Sequence, residues 1–200
     1  MNSRKILVAY TTNAGSTTDV AQEIATELGK DGLFVDVKRL EEVANLEAYA
    51  AVVVGAPMIV GWHREAVRFV KKHQSMLHER PVGYFFIAMN LTDVHQTHLD
   101  EIPLWVDPLT AKPPLRANRL SIRERYALPV NYLQPVLKAA PQVKPVSVGF
   151  FGGKLAMYNL KWWQAAFVLL VIQARPGGSH NHPFIQEWAA DLQTRFSGSI

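Results

Sequence analysis

The sequence contains no cysteine. That excludes disulfides, thiolate nucleophiles, cysteine-ligated zinc and ordinary iron–sulfur clusters, and it fits a reducing compartment. Long apolar runs are missing as well. Near the start, Ile6 to Tyr10 is an apolar run of five residues, shorter than a secretory signal needs. The longest uncharged apolar stretch, Trp162 to Ala174, has 13 residues with two glutamines inside it, too few to span a bilayer. The expectation is a soluble, cytoplasmic chain with at most peripheral contact at the inner face of a membrane. No repeat, low-complexity tract or Gly/Ser-rich linker divides the chain. Residues 1–200 therefore read as a single domain, with an insertion at about 91–144.

What is there is ordinary for a globular protein: 48% hydrophobic and 19% charged residues, too apolar for disorder. The net charge of +4 is concentrated. Between Ala111 and Arg125, Lys112, Arg116, Arg119, Arg123 and Arg125 face Glu124 alone, and the rest of the chain is balanced. A local positive patch points to an anionic partner rather than to nucleic acid, whose binding needs a broad basic surface. A solvated charged loop is the plain alternative.

Short apolar runs alternate with helical patterns. Ile6 to Tyr10 is apolar without period-2 alternation, as a parallel strand covered on both faces requires. Val20, Ala21, Ile24, Ala25 and Leu28 then repeat at helical spacing, with Gly29 as a natural stop. Leu33 to Val37 predicts an alternating strand near an edge, Ala50 to Val54 a third strand, Val82 to Met89 a fourth and Val146 to Phe151 a fifth. Arg64 to Leu77 predicts one helix, and Pro129 to Ala140 another with Val130, Leu133, Leu137 and Ala140 inward. This alternation means right-handed βαβ units. The fold class is α/β, a flavodoxin-like five-stranded parallel sheet of order 2-1-3-4-5 with helices on both faces. The segment Leu91 to Leu128, polar and proline-bearing, fits a lid or an excursion over one end of the sheet.

Ligands of open α/β sheets bind outside the carboxyl ends of the strands, at the switch point. The loop there, Thr11-Thr12-Asn13-Ala14-Gly15-Ser16-Thr17-Thr18, carries five hydroxyls, an amide and a glycine at a helix N-terminus, but no lysine or arginine. Unpaired first-turn N–H groups and the helix dipole favour a phosphate held by neutral donors. The loop is neither a Walker A sequence nor G-x-G-x-x-G. Plain N-capping would need only one or two of those hydroxyls.

Tyr10-Thr11-Thr12-Asn13-Ala14-Gly15-Ser16-Thr17 resembles the Y-x-T-x-x-G-x-T phosphate loop of flavodoxin-domain proteins. Gly55-Ala56-Pro57-Met58-Ile59-Val60-Gly61-Trp62-His63 resembles their second flavin loop. Asn90-Leu91-Thr92, Gly149 to Leu155 and the late Trp188 are similar to the menaquinone-dependent protoporphyrinogen dehydrogenase branch. Asp93 to Pro129 has no counterpart in the resemblance.

The resemblance implies FMN as cofactor, with roles carried over loop by loop. Thr11, Thr12, Asn13, Ala14, Gly15, Ser16 and Thr17 would hold its phosphate. Pro57, Met58, Ile59, Gly61 and Trp62 would run along the isoalloxazine, although Trp62 reads equally as a core aromatic. Asn90, Leu91 and Thr92 would approach the pyrimidine edge, with Gly152 and Gly153 near. No catalytic residue is named.

Arg116, Arg119 and Arg123 would share one face if their stretch is helical, and arginine forks suit substrate carboxylates. His95-x-x-His98 and His180-x-His182 read as surface loops, with no metal site assigned. His63 reads as packing at a helix N-terminus, beside the proposed flavin loop. Trp162 to Ile172 reads as a buried helix, or as a surface helix meeting a membrane or a quinone.

Three functions compete. One is an FMN-dependent oxidoreductase of the quinone-linked dehydrogenase type, acting on a small organic substrate. The second is an electron carrier docking a redox protein. The third is an FMN-fold binding protein without its own substrate. Family carriers are typically acidic, so a basic chain weighs against the second reading.

Overall fold

The structure, a computed structural model, describes residues 5–13, 15–58, 61–88, 90–116, 119–153 and 180–199. The helix expected at Trp162 to Ile172 lies outside them. Strands β1 (Lys5–Tyr10), β2 (Phe34–Arg39), β3 (Ala51–Pro57), β4 (Val82–Ala88) and β9 (Ser147–Gly152) form parallel neighbours in the order β2-β1-β3-β4-β9. That is the expected 2-1-3-4-5. The central strands β1, β3, β4 and β9 are buried almost throughout, whereas β2 is half exposed at the edge. Burial on both faces is why the central runs are continuously apolar.

The sheet does not stop at five strands. Within the insertion, β7 (Ile102–Val106) pairs in parallel with the far side of β9, and β6 (His98–Leu99) pairs antiparallel with β7, giving seven strands. Two further short strands, β5 (Leu91–Thr92) and β8 (Ala111–Lys112), form a separate two-stranded sheet. The first half of the insertion is thus part of the sheet rather than a lid over it. Pro103 made Ile102–Val106 look like a loop. It is tolerated because β7 lies next to the edge, where only the two-residue β6 follows.

Helices α1 (Ser16–Leu28) and α6 (His182–Ser199) cover one face, closing a core of Val8, Val20, Ile24, Phe85, Phe151, Ile185 and Leu192. On that side Trp188 is fully buried, packs against Phe151 at 5.3 Å between ring centroids, and donates from Nε1 to Ser147 Oγ at 3.0 Å. The other face is covered by α2 (Arg64–Lys72), α3 (Gln74–His78) and α5 (Pro129–Ala139). The single helix expected from Arg64 to Leu77 is broken at His73, whose ring turns onto Phe69. Burial, with Lys72 next to it, lowers the His73 pKa. The inward face of α5 is Tyr132, Leu133 and Val136, one position round from the predicted stripe, with Val130 and Leu137 only half-buried. A short helix, α4 (Ile122–Tyr126), precedes α5 and buries none of its residues.

Candidate functional site

The loops after β1, β3, β4 and β9 converge at the carboxyl end of the sheet. Between β1 and α1, Gly15 adopts φ +85°, a left-handed conformation that a side chain would strain. The Gly15 N–H donates to Thr12 Oγ1 at 2.9 Å, closing the turn. No side chain caps α1, whose N-cap is Gly15 itself. Plain N-capping therefore does not account for the loop's hydroxyls, and the first turn keeps donors for an anion. Ser16 and Thr17 are buried in that turn.

Thr11 is used differently: its hydroxyl donates to Glu65 Oε2 at 2.6 Å and ties the loop to α2. Asn13 is exposed, and Ala14 lies outside the described residues. Thr12 is half-buried.

Opposite Ser16 stands Gly153. A Cβ built there would meet Ile87 Cγ2 at 2.4 Å and Ser16 Oγ at 3.1 Å, so only glycine fits against the loop. After β3, the Met58 N–H donates to the Ile87 carbonyl at 3.0 Å, and Met58 forms an isolated antiparallel bridge with Trp62. Ile59 lies outside the described residues. Trp62 is buried against Tyr84 and Phe86, at 5.3 and 4.9 Å between centroids, and its Nε1–H has no partner among the described residues. His63 is the N-cap of α2, its Nδ1 accepting from the Glu65 N–H at 3.4 Å.

After β4, Asn90 is half-buried, while Leu91 and Thr92 are buried and already committed. The Leu91 N–H donates to Thr110 O and the Thr92 N–H to Ala127 O, both at 3.0 Å, so these two anchor the insertion with their backbones. Beside Thr92 opens a cleft of about 530 Å³, lined among others by Val94, His95, Leu104, Trp105 and Phe184.

Sequence reasoning missed the group that holds Gly152. Asp107, at the end of β7, is fully buried. Its Oδ2 accepts from the Gly152 N–H at 3.2 Å, and its Oδ1 accepts from Leu109 N–H at 2.9 Å and Asn181 Nδ2 at 2.8 Å. On the other side, His180 Nδ1 lies 2.9 Å from the Gly152 carbonyl and donates to it, since a carbonyl only accepts. Its Nε2 is 3.6 Å from Asp19 Oδ2 on α1. The surface-loop expectation for this histidine pair is corrected for His180, which is buried. His182 is exposed and reaches Glu23 Oε2 at 2.8 Å. His95 and His98 are exposed, and no cluster of three or more metal-ligating side chains occurs among the described residues.

Arg116, Arg119 and Arg123 do not share a helical face. Helix α4 starts only at Ile122, because Ser121 caps it reciprocally with Glu124. All three arginines are exposed.

A family model described as "Flavodoxin domain" matches residues 7–181, most of the chain. The chain belongs to the flavodoxin-domain family. FMN is the cofactor that goes with this domain, and the uncapped helix end opposite a glycine-only contact fits its phosphate.

Over 88 residues the chain is 31% identical to protoporphyrinogen IX dehydrogenase (quinone) of Escherichia coli strain K12, covering 42% of this chain and 49% of that protein. The chain thus matches about half the length of this curated relative. Among solved structures it is similar to a short-chain flavodoxin associated with a PDU bacterial microcompartment. The TM-score is 0.50 at 11% identity, covering 96% of this chain and 98% of that one. The two-electron reduced flavodoxin of Megasphaera elsdenii gives a TM-score of 0.49 at 11% identity, covering 94% and 98%. The likeness to the short-chain flavodoxin shows the fold alone. No helix among the described residues is long and apolar enough to cross a membrane.

Proposed function

We propose that this chain is an FMN-dependent oxidoreductase that passes electrons from an organic substrate through FMN to a quinone-like acceptor. The observation that carries the reading is how the insertion is anchored. Leu91 and Thr92, directly after β4, are strand partners of Ala111 and Lys112, and the 530 Å³ cleft opens beside them. A carrier needs that edge free for a protein partner. A cleft of this volume, lined by apolar and polar residues in equal number, instead suits a small organic molecule. The partial similarity to a quinone-linked dehydrogenase supports the same reading.

In this scheme Thr12, Ser16, Thr17 and the first-turn N–H groups of α1 hold the phosphate. Met58 and Trp62 would flank the ring system, with the buried indole of Trp62 as apolar support. Gly153 lets backbone approach where a side chain would collide. The insertion orients the donor and keeps water out. When bound, FMN supplies one- and two-electron transfer.

Thr17→Val keeps the volume of a buried side chain and removes its hydroxyl. The anion then lacks one donor, at a cost of roughly 1.5–3 kcal/mol. FMN affinity should fall on the order of 10- to 150-fold, as read by quenching of flavin fluorescence. Unchanged affinity would remove Thr17 from the site. The function itself is tested by offering the FMN-loaded protein a porphyrinogen or a quinol with a quinone acceptor. Turnover is expected. Failure with both donors, together with rapid electron exchange with a reductase, would make the protein a carrier.

A further inference from the structure

Among the described residues, four of the six exposed large apolar side chains, Leu109, Leu115, Ile122 and Tyr126, fall between residues 109 and 126, with Phe34 and Val94 elsewhere. The most exposed of the six are Leu115 at 92% and Ile122 at 87%, followed by Leu109 at 67%. All three lie in one segment, which also holds Lys112, Arg116, Arg119, Arg123 and Arg125, every one exposed. This is the stretch that accounts for the whole net charge of the chain.

Its one acid, Glu124, is bound to the segment's own backbone. Glu124 Oε1 accepts from the Leu115 N–H and Oε2 from the Ser121 N–H, both at 2.6 Å, and these bonds hold its carboxyl below the usual range. The same carboxylate staples Leu115 next to the start of α4, where Ile122 stands. The outward face is therefore aliphatic tips among cations.

We propose that the exposed side chains of residues 109–116 and 119–126 form a docking surface for an anionic lipid bilayer. Helix α4 buries none of its residues, so its apolar Ile122 has no use inside the molecule. Protein interfaces concentrate buried aromatic anchors in a packed patch. Here the only aromatic of the segment, Tyr126, is packed edge-on against Tyr132 of its own chain at 5.7 Å. Separate protruding aliphatics ringed by arginine match an acyl–headgroup boundary, where apolar side chains insert and cations meet lipid phosphates.

The pairing of β5 with β8 ties this surface to the loop after β4, so a docked bilayer lies on the side of the cofactor loops. The inference goes beyond the redox reading, because vesicle binding is measured without turnover.

The full-length, FMN-loaded protein is sedimented with vesicles of phosphatidylcholine alone and of phosphatidylcholine mixed with phosphatidylglycerol. Binding to the mixed vesicles only, weakening with added salt, is expected. The variant R116Q/R119Q/R123Q should bind them roughly 100-fold more weakly, and L115S/I122S at least about 10-fold more weakly. Both variants should retain FMN, since the replaced side chains are exposed. Three results would overturn the proposal: no preference for anionic vesicles, full binding by both variants, or loss of exchange with an acidic redox protein without any vesicle binding. The last would make the face a protein-docking surface.

Discussion

Asp107→Ala should lower the stability of the protein by about 3–5 kcal/mol, the cost of emptying a buried, hydrogen-bonded carboxylate site. Three donors converge on this side chain, and alanine leaves all of them without their acceptor. Two of these lie in other elements: Gly152 ends β9 at the cofactor loops, and Asn181 leads into α6. The damage should therefore extend beyond the insertion. FMN should bind more weakly, because the position of Gly153 against Ser16 depends on Gly152. Asp107→Asn keeps one acceptor oxygen and should recover part of the loss. Urea titrations of the apo and FMN-loaded forms measure both effects. A shift within about 0.5 kcal/mol, the range of ordinary surface substitutions, would reduce Asp107 to a bystander.

Trp188→Ala should cost a similar amount, about 3–5 kcal/mol, for a different reason. The indole is fully buried between α6 and the sheet, against Phe151, so its removal leaves a large void. For a chain of this length that corresponds to a melting temperature lower by roughly 10 °C. Trp188→Phe separates the two contributions. It refills most of the void but leaves Ser147 Oγ without the Nε1–H donor, at about 1–3 kcal/mol. If the alanine variant melts within a degree or two of the parent, the face of the sheet under α6 is not the packed core described above.

The residues that were legible in the sequence share a physical property. The central strands are covered on both faces, so their apolar runs are unbroken, and α1 carries a regular stripe between Val20 and Leu28. Gly15 and the hydroxyls of residues 11–17 stood out because they exceed what capping a helix start requires, and Gly15 does take the left-handed φ that favours glycine. What stayed hidden depends on contacts between segments distant in the chain. Asp107 looks like one more polar loop residue until β7 delivers it to Gly152, 45 positions later. His180 sits in a Gly-Ser-His-Asn-His stretch with every appearance of surface, yet the chain folds it beneath Gly152 and beside Asp19. The strand Ile102–Val106 was masked by its proline, which a central strand would exclude and a near-edge strand accepts. The arginine face failed because a capping signal, Ser121 with Glu124, starts the helix later than the charge spacing suggests. Thr11 was matched to the phosphate by motif alone, and only the structure reveals its bond to Glu65.

The position of β7 also constrains the order in which the protein can be assembled. Among the described residues its only parallel neighbour is β9, and β9 follows it in the chain by some forty residues. When β7 leaves the ribosome, the edge that will receive it does not yet exist. Strands β1 to β4 can pair as they emerge, but β6, β7 and the Asp107 carboxylate must wait for Ser147–Gly152 to add to β4. A half-made chain therefore carries Leu104, Trp105 and Val106 unpaired, a short apolar segment with free backbone groups. Pro103 within it, and acidic Asp100 and Glu101 just before it, are the kinds of residue that discourage such a segment from pairing with another copy of itself.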